Sequence, residues 1–145
     1  MKSMTRALVD TNILVYAASE GESDKKRLAE EAIAGLAGAN EMALSVQNLA
    51  EFSRVLLEKS AVKASRTEVA DAVGKFSRYS DMLPYSGATV VSAIILCREN
   101  KIHFFDALLA ATMLENSVFE IITENTSDFE KVPGIKARNP FVKKR

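Results

Sequence analysis

The sequence predicts an α/β domain built on a mainly parallel sheet with helices on both faces. Three observations carry that expectation. Short apolar runs such as "ALV" and "EMALS" alternate with longer segments whose apolar residues recur at helical spacing, the signature of βαβ units. Two of those runs pass directly into a helix through a residue suited to capping it, Asp10 and Ser45. A chain with 48% hydrophobic and 26% charged residues has the composition of an ordinary folded domain. At 145 residues it is expected to form one domain, 1–145, that buries its own core without a disulfide or structural metal.

The elements follow in order. Ala7 to Val9 reads as a strand, and Asp10, Thr11 and Asn12 as the turn that starts a helix through Ile13, Leu14, Tyr16 and Ala17. Ser23 precedes "DKKRLAEEAIAGLAG", a helix with Leu28, Ala32, Ile33 and Leu36 on one face and Gly38 as its stop. "EMALS" is a buried strand, and Ser45 caps "VQNLAEFSRVLLEK". In that helix Val46, Leu49, Ala50, Ser53, Leu56 and Leu57 are expected to face inward, with Gln47, Asn48, Glu51, Arg54 and Glu58 on the polar side. Ser65 to Met82 reads as one helix stopped by Pro84, followed by a helix over "SGATVVSAIILCREN". "HFFDALLAATMLEN" is a helix beginning at or near Asp106, with small residues at Ala107, Ala110 and Ala111. Val118 to Thr123 is a strand whose start is made awkward by Glu120, "ENTSDF" a turn, and Ile135 to Ala137 a last short strand.

Charge narrows the function classes. Lys and Arg total 19, as do Asp and Glu, so no global positive field draws the chain to a polyanion. A nucleic acid would have to meet a local patch or a metal ion. Such patches are offered by Lys136, Arg138, Lys143, Lys144 and Arg145 in "KARNPFVKKR" and by Lys25, Lys26 and Arg27 in "SDKKR". With Cys97 and His103 each the single residue of its type, an intrachain disulfide and a Cys/His zinc cluster are excluded, and both residues read as structural. No apolar run is long enough to span a bilayer and no signal-peptide pattern opens the chain, so a cytoplasmic protein is expected, with no membrane partner.

Four acidic positions fall where an open α/β sheet can gather them. Asp10 and the segment from Glu124 to Asp128 lie just past predicted strand ends, Asp106 opens a helix, and Glu51 lies in the second turn of a helix that follows a strand. Gathered carboxylates repel unless they share a proton or a divalent cation, and an all-oxygen set suits Mg²⁺ or Mn²⁺. Each also has a plain alternative: Asp10, Asp106 and Asp128 as caps, Glu51 as a solvated partner of Arg54. Spacing alone leaves both readings open.

Taken in order, "LVDTNILVYA", "QNLAEFSRVL", "FFDALLAATM" and "ITENTSDFEKV" resemble the four acidic motifs of the PIN-domain family, most closely its VapC-type toxin ribonucleases. The resemblance runs from Leu8 to Val132 and implies a PIN-like three-layer α/β/α fold. It implies that Asp10 and Asp106 are primary metal ligands, Glu51 the third acid and Asp128 the fourth, with Glu124 the rival for that place. Thr11, Asn12 and Asn125 become the polar groups around them, Thr11 toward a water or phosphate and Asn12 toward Asp10. The activity implied is Mg²⁺- or Mn²⁺-dependent endonucleolytic cleavage of RNA, leaving a 5′-phosphate and a 3′-hydroxyl. A VapB-type antitoxin and a homodimer are the implied protein partners. Two other readings compete: a PIN-like module that binds RNA or protein without cutting, and an Asp10 phosphoacceptor, which is disfavoured because Asn12 stands where a phosphatase of that kind has a second Asp.

Overall fold

The computed structural model describes residues 5–59 and 64–142. Five strands form one sheet in the order β3-β2-β1-β4-β5, and every neighbouring pair is parallel. In chain order the elements are β1 (Ala7–Val9), α1 (Thr11–Ala18), α2 (Asp24–Gly38), β2 (Met42–Ser45), α3 (Val46–Arg54), α4 (Arg66–Arg78), β3 (Asp81–Leu83), α5 (Gly87–Asn100), α6 (Phe104–Glu115), β4 (Glu120–Ile122), α7 (Thr126–Glu130) and β5 (Lys136–Arg138).

Strand alternation sorts the core into two layers. Leu8, Ala43, Leu83 and Ile121 point to one face, where Ala93 of α5, Ala107, Ala110, Ala111 and Met113 of α6 and Phe129 of α7 cover them. Ala7, Val9, Met42, Leu44 and Ile122 point to the other, beneath Ile13 and Leu14 of α1, Ala29 of α2, Phe52 of α3 and the half-buried Val73 and Phe76 of α4. This is the three-layer α/β/α arrangement the sequence predicts. The small residues of α6 do what their size allows: α6 lies buried from Ala107 to Met113 between α5 and the sheet.

Capping chemistry sets most boundaries. Ser23 accepts from the Lys26 amide at the start of α2, Ser45 and Asn48 form a reciprocal capping box on α3, and Ser65 and Glu68 form another on α4. The expected helix from Ser65 to Met82 is two elements: α4 ends at Arg78, and Asp81–Leu83 leaves it to pair with β2 as an edge strand. Ser80 bonds back to the Phe76 carbonyl at the helix end, and Asp81 is held by the Arg6 guanidinium, which also donates 2.7 Å to the Asn116 carbonyl. Partnered this way, β3 docks although only three residues long.

Further boundaries are set by local geometry. After Arg54 the chain loosens into a π-helical turn, Val55–Lys59. α6 begins at Phe104, with Lys101 in the left-handed region (φ 54°) turning the chain out of α5, so Asp106 lies within its first turn. "ENTSDF" is not merely a turn, since Thr126–Glu130 closes a short helix with Phe129 buried beneath it. Glu120 does open β4, half-buried and paired at 3.2 Å with Arg138 across the strands, which removes the difficulty of an acid there. Cys97, half-buried against the α5/α6 core, donates its thiol to the Ile102 carbonyl, in keeping with a structural role. No helix among the described residues is long and apolar enough to cross a membrane.

Phe52 is fully buried and meets Phe76 edge-on at 5.2 Å, joining α3 to α4. Phe52→Ala is expected to lower stability by ~3–5 kcal/mol in urea unfolding, whereas Tyr79→Ala, at 62% exposure, is expected to change it by under ~0.5 kcal/mol. Equal costs for the two would contradict this account of the packing.

Candidate active site

A parallel sheet places all its strand C-termini at one edge, and the chain leaves β1 toward β2 but returns from β3 to β4 on the other side. The crevice at that reversal, between the ends of β1 and β4, is where such folds leave space for ligands. Val9 is in register with Ile122, so Asp10 and Thr123 emerge side by side. The Asp10 amide donates 2.9 Å to the Ile122 carbonyl, and the Thr123 hydroxyl donates 2.7 Å to Asp10 Oδ2. Asp10 Oδ1 accepts from the Thr11 amide at 2.8 Å and caps α1. One carboxylate oxygen of Asp10 therefore caps the helix while the other accepts from Thr123.

Asp10 is only 8% exposed. Burial pushes its pKa up to about 6, against the bonds from Thr123 and Thr11, which favour the carboxylate; the nearby charges of Asp106 and Glu51 add to the rise. The Asp106 pKa is also raised, first by burial, then by the Asp128 charge, with Glu51 contributing. Asp10 thus lies within electrostatic reach of Asp106 and Glu51, and Asp106 within reach of Asp128 and Glu51. Asn125 fixes two of them: its Nδ2 lies 3.2 Å from Asp106 Oδ2 and 3.2 Å from Asp128 Oδ2, while its amide donates 3.0 Å to Thr123 Oγ1. A continuous path of hydrogen bonds thus joins Asp10 to Asp106 and Asp128.

Glu124 faces elsewhere. Its carboxylate takes Lys25 Nζ at 2.5 Å and the Tyr16 hydroxyl at 3.0 Å, and Lys25 holds its pKa below the usual range. Asp128, by contrast, accepts from Asn125 and from Lys131, and these two hold its pKa down. Of the basic residues singled out in the sequence, Lys25, Arg27 and Arg138 are engaged by acids, and Lys143, Lys144 and Arg145 lie outside the described residues.

The first turn of α3 overturns the expected facing. Val46 is 59% exposed and Ala50 is exposed, whereas Gln47 and Asn48 are buried. The reason is polar: Asn48 donates 3.2 Å to Thr11 Oγ1, and Gln47 donates 2.9 Å to Glu51 Oε1 and 3.0 Å to the Phe105 carbonyl. Gln47, Asn48 and Thr123 are site residues that the apolar pattern passes over; the one available signal was a polar pair just after a strand-end cap. His103 is exposed at the N-cap of α6, so it belongs at the rim rather than in the core. Asn12 is half-buried with Oδ1 enclosed and unpartnered, and the groups that orient Asp10 are the Thr11 amide and the Thr123 hydroxyl.

The donor chemistry fits a hard divalent cation: oxygen-only side chains, several of them carboxylates in mutual repulsion. Among the described residues no three Asp, Glu, His or Cys side chains stand close enough to cage one ion as they are. Glu51 is held by Gln47, and Asp128 by Asn125 and Lys131.

The family model for the PIN domain matches residues 7–135. Among solved structures, the chain is similar to one from a toxin–antitoxin complex of Klebsiella pneumoniae (26% identity, 92% of this chain and 97% of that chain, TM-score 0.66). A second is VapBC2 from Rickettsia felis bound to a DNA fragment from its promoter (22%, 93% and 98%, TM-score 0.67). A third is PAE2754 from Pyrobaculum aerophilum (15%, 94% and 92%, TM-score 0.63). A search of curated proteins finds no match.

The raised Asp10 pKa carries a sign. Between the ordinary value of 3.8 and about 6 the folded chain binds a proton that the unfolded chain has released, so metal-free stability falls as pH rises through that window. Asp10→Asn is expected to raise metal-free stability at pH 7 by ~1–3 kcal/mol in urea unfolding, with variant and wild type drawing together toward pH 4. A variant less stable than wild type at pH 7 would contradict this.

Proposed function

The chain belongs to the PIN-domain family, and from that membership we propose that it is a divalent-metal-dependent endoribonuclease, the toxin of a VapBC-type toxin–antitoxin pair. The observation that carries the reading is Asp10, buried at the reversal of the sheet within electrostatic reach of Asp106, whose carboxylate shares Asn125 with Asp128. Asp10 and Asp106 are the primary ligands of a Mg²⁺ or Mn²⁺ ion, with Glu51 and Asp128 completing the acidic set. Bound there, the ion supplies a water of lowered pKa and neutralises charge gathering on the phosphoryl group.

The chain's own groups prepare that chemistry. Thr123 and the Thr11 amide hold the Asp10 carboxylate in one orientation, and Asn125 does the same for Asp106 and Asp128. Thr11, braced by Asn48, presents a hydroxyl beside Asp10 toward a substrate phosphate. Asp128 takes the fourth place in preference to Glu124, whose carboxylate is engaged by Lys25 and Tyr16.

A VapB-type antitoxin is the proposed partner, supported by the Klebsiella pneumoniae toxin–antitoxin complex and by VapBC2 from Rickettsia felis among the similar structures. A homodimer is part of the same proposal. Its support is the apolar stripe Val91, Ile94 and Ile95 on α5, each at least half exposed.

Purified protein is expected to cleave single-stranded or looped RNA in Mn²⁺ or Mg²⁺ and to stop when EDTA is added. Asp10→Asn and Asp106→Asn are expected to lower the rate by at least ~10²-fold while remaining folded, and Glu124→Gln to keep most of it. Undiminished cleavage by either Asp variant would overturn the site, and loss of cleavage in Glu124→Gln alone would exchange the fourth acid.

A further inference from the structure

Gln47 is 7% exposed on the first turn of α3, at a position the amphipathic pattern assigns to solvent. Its Nε2 donates twice, at 2.9 Å to Glu51 Oε1 one turn along α3 and at 3.0 Å to the Phe105 carbonyl in the first turn of α6. Both partners are acceptors, so the orientation of the amide is determined: Nε2 lies between Glu51 and Phe105, and Oε1 is the enclosed, unpartnered atom. Phe105 immediately precedes Asp106 in the chain. One amide therefore connects the side chain of one acid to the backbone that carries another.

A glutamate on a helix surface samples many rotamers, and ordering it costs entropy at the moment it is recruited. A charge-assisted bond from a buried donor removes that freedom in advance. We propose that Gln47 is the positioning residue of this site, setting the Glu51 carboxylate at a fixed offset from Asp106. This rests on the reading above, in which Glu51 and Asp106 serve the same cation. Gln47 touches neither that cation nor the RNA in this account; it acts through Glu51. A purely structural tie between α3 and α6 would instead affect folding and leave the cation's affinity alone.

The two are separated by a cycle of Mn²⁺ affinities, measured calorimetrically on wild type, Gln47→Met, Glu51→Gln and the double variant, each followed by thermal unfolding. Met is unbranched and of similar volume, so it fills the site without a donor. Gln47→Met is expected to weaken Mn²⁺ binding by ~10-fold or more, and the double variant to bind no more weakly than Glu51→Gln alone. Affinity of Gln47→Met within about twofold of wild type, or losses that multiply independently in the double variant, would overturn the inference. If Gln47→Met does not fold, Gln47→Asn, whose amide falls one methylene short of Glu51, is read by the same criteria. A wild-type protein that takes up no Mn²⁺ would overturn the functional reading beneath it, an outcome distinct from a bound ion indifferent to Gln47.

Discussion

The site depends on one constraint, a carboxylate buried at the end of the central strand. Asp10 has little contact with water, and its fold-imposed partners are one backbone amide and one hydroxyl. That is enough to hold the carboxylate in place but not to restore the solvation it lost, which is why burial dominates its raised pKa. Each group that touches Asp10 is recruited from a different element: Thr11 from α1, Thr123 from the end of β4, and through Thr11 the amide of Asn48 from α3. The core on the two faces of the sheet supplies the rigidity that keeps these elements in register around an unfavourable charge.

Topology then determines what can join it. Because every strand is parallel, the residues following β1, β2 and β4 emerge at the same edge, and the helices that continue from them bring their first turns to it. Glu51 arrives on α3 and Asp106 on α6, the latter brought over the sheet by the close packing of α5 against α6's small residues. Asn125 and Asp128 arrive with the loop and short helix after β4. The acids repel, and neighbouring amides, Gln47 for Glu51 and Asn125 for Asp106 and Asp128, hold them without neutralising them. An arrangement that accumulates negative charge and supplies neutral donors, while Lys131 pairs only with the outermost acid, is suited to receive a cation.

Much of this was legible in the sequence, and the rest was hidden for identifiable reasons. Apolar runs ending in a capping residue located β1 and β2 with their helices, and the resemblance of the four acidic stretches named the carboxylates. The strand Asp81–Leu83 was concealed because Leu83 continues the helical repeat of Val69, Val73 and Phe76, and only pairing with β2 distinguishes it. The facing of α3 was misassigned because hydrophobic patterning ranks Val46 above Gln47, whereas burial there is decided by hydrogen bonds to Glu51, Phe105 and Thr11. Thr123 read as the end of a strand; its role follows from a register between β1 and β4 separated by 113 residues of chain. The facing of α3 and the role of Thr123 lie against the site, where polar satisfaction overrides the apolar period.

The central claim is that Asp10 and Asp106 together hold a divalent cation at the reversal of the sheet. Crystals grown with Mn²⁺ and measured at an energy where manganese scatters anomalously test it most directly. The account predicts an anomalous peak within coordination distance of both carboxylates, with Glu51 or Asp128 turned toward it. A peak bound elsewhere, or one that touches Asp128 and Glu124 while leaving Asp10 on Thr123 alone, would contradict it.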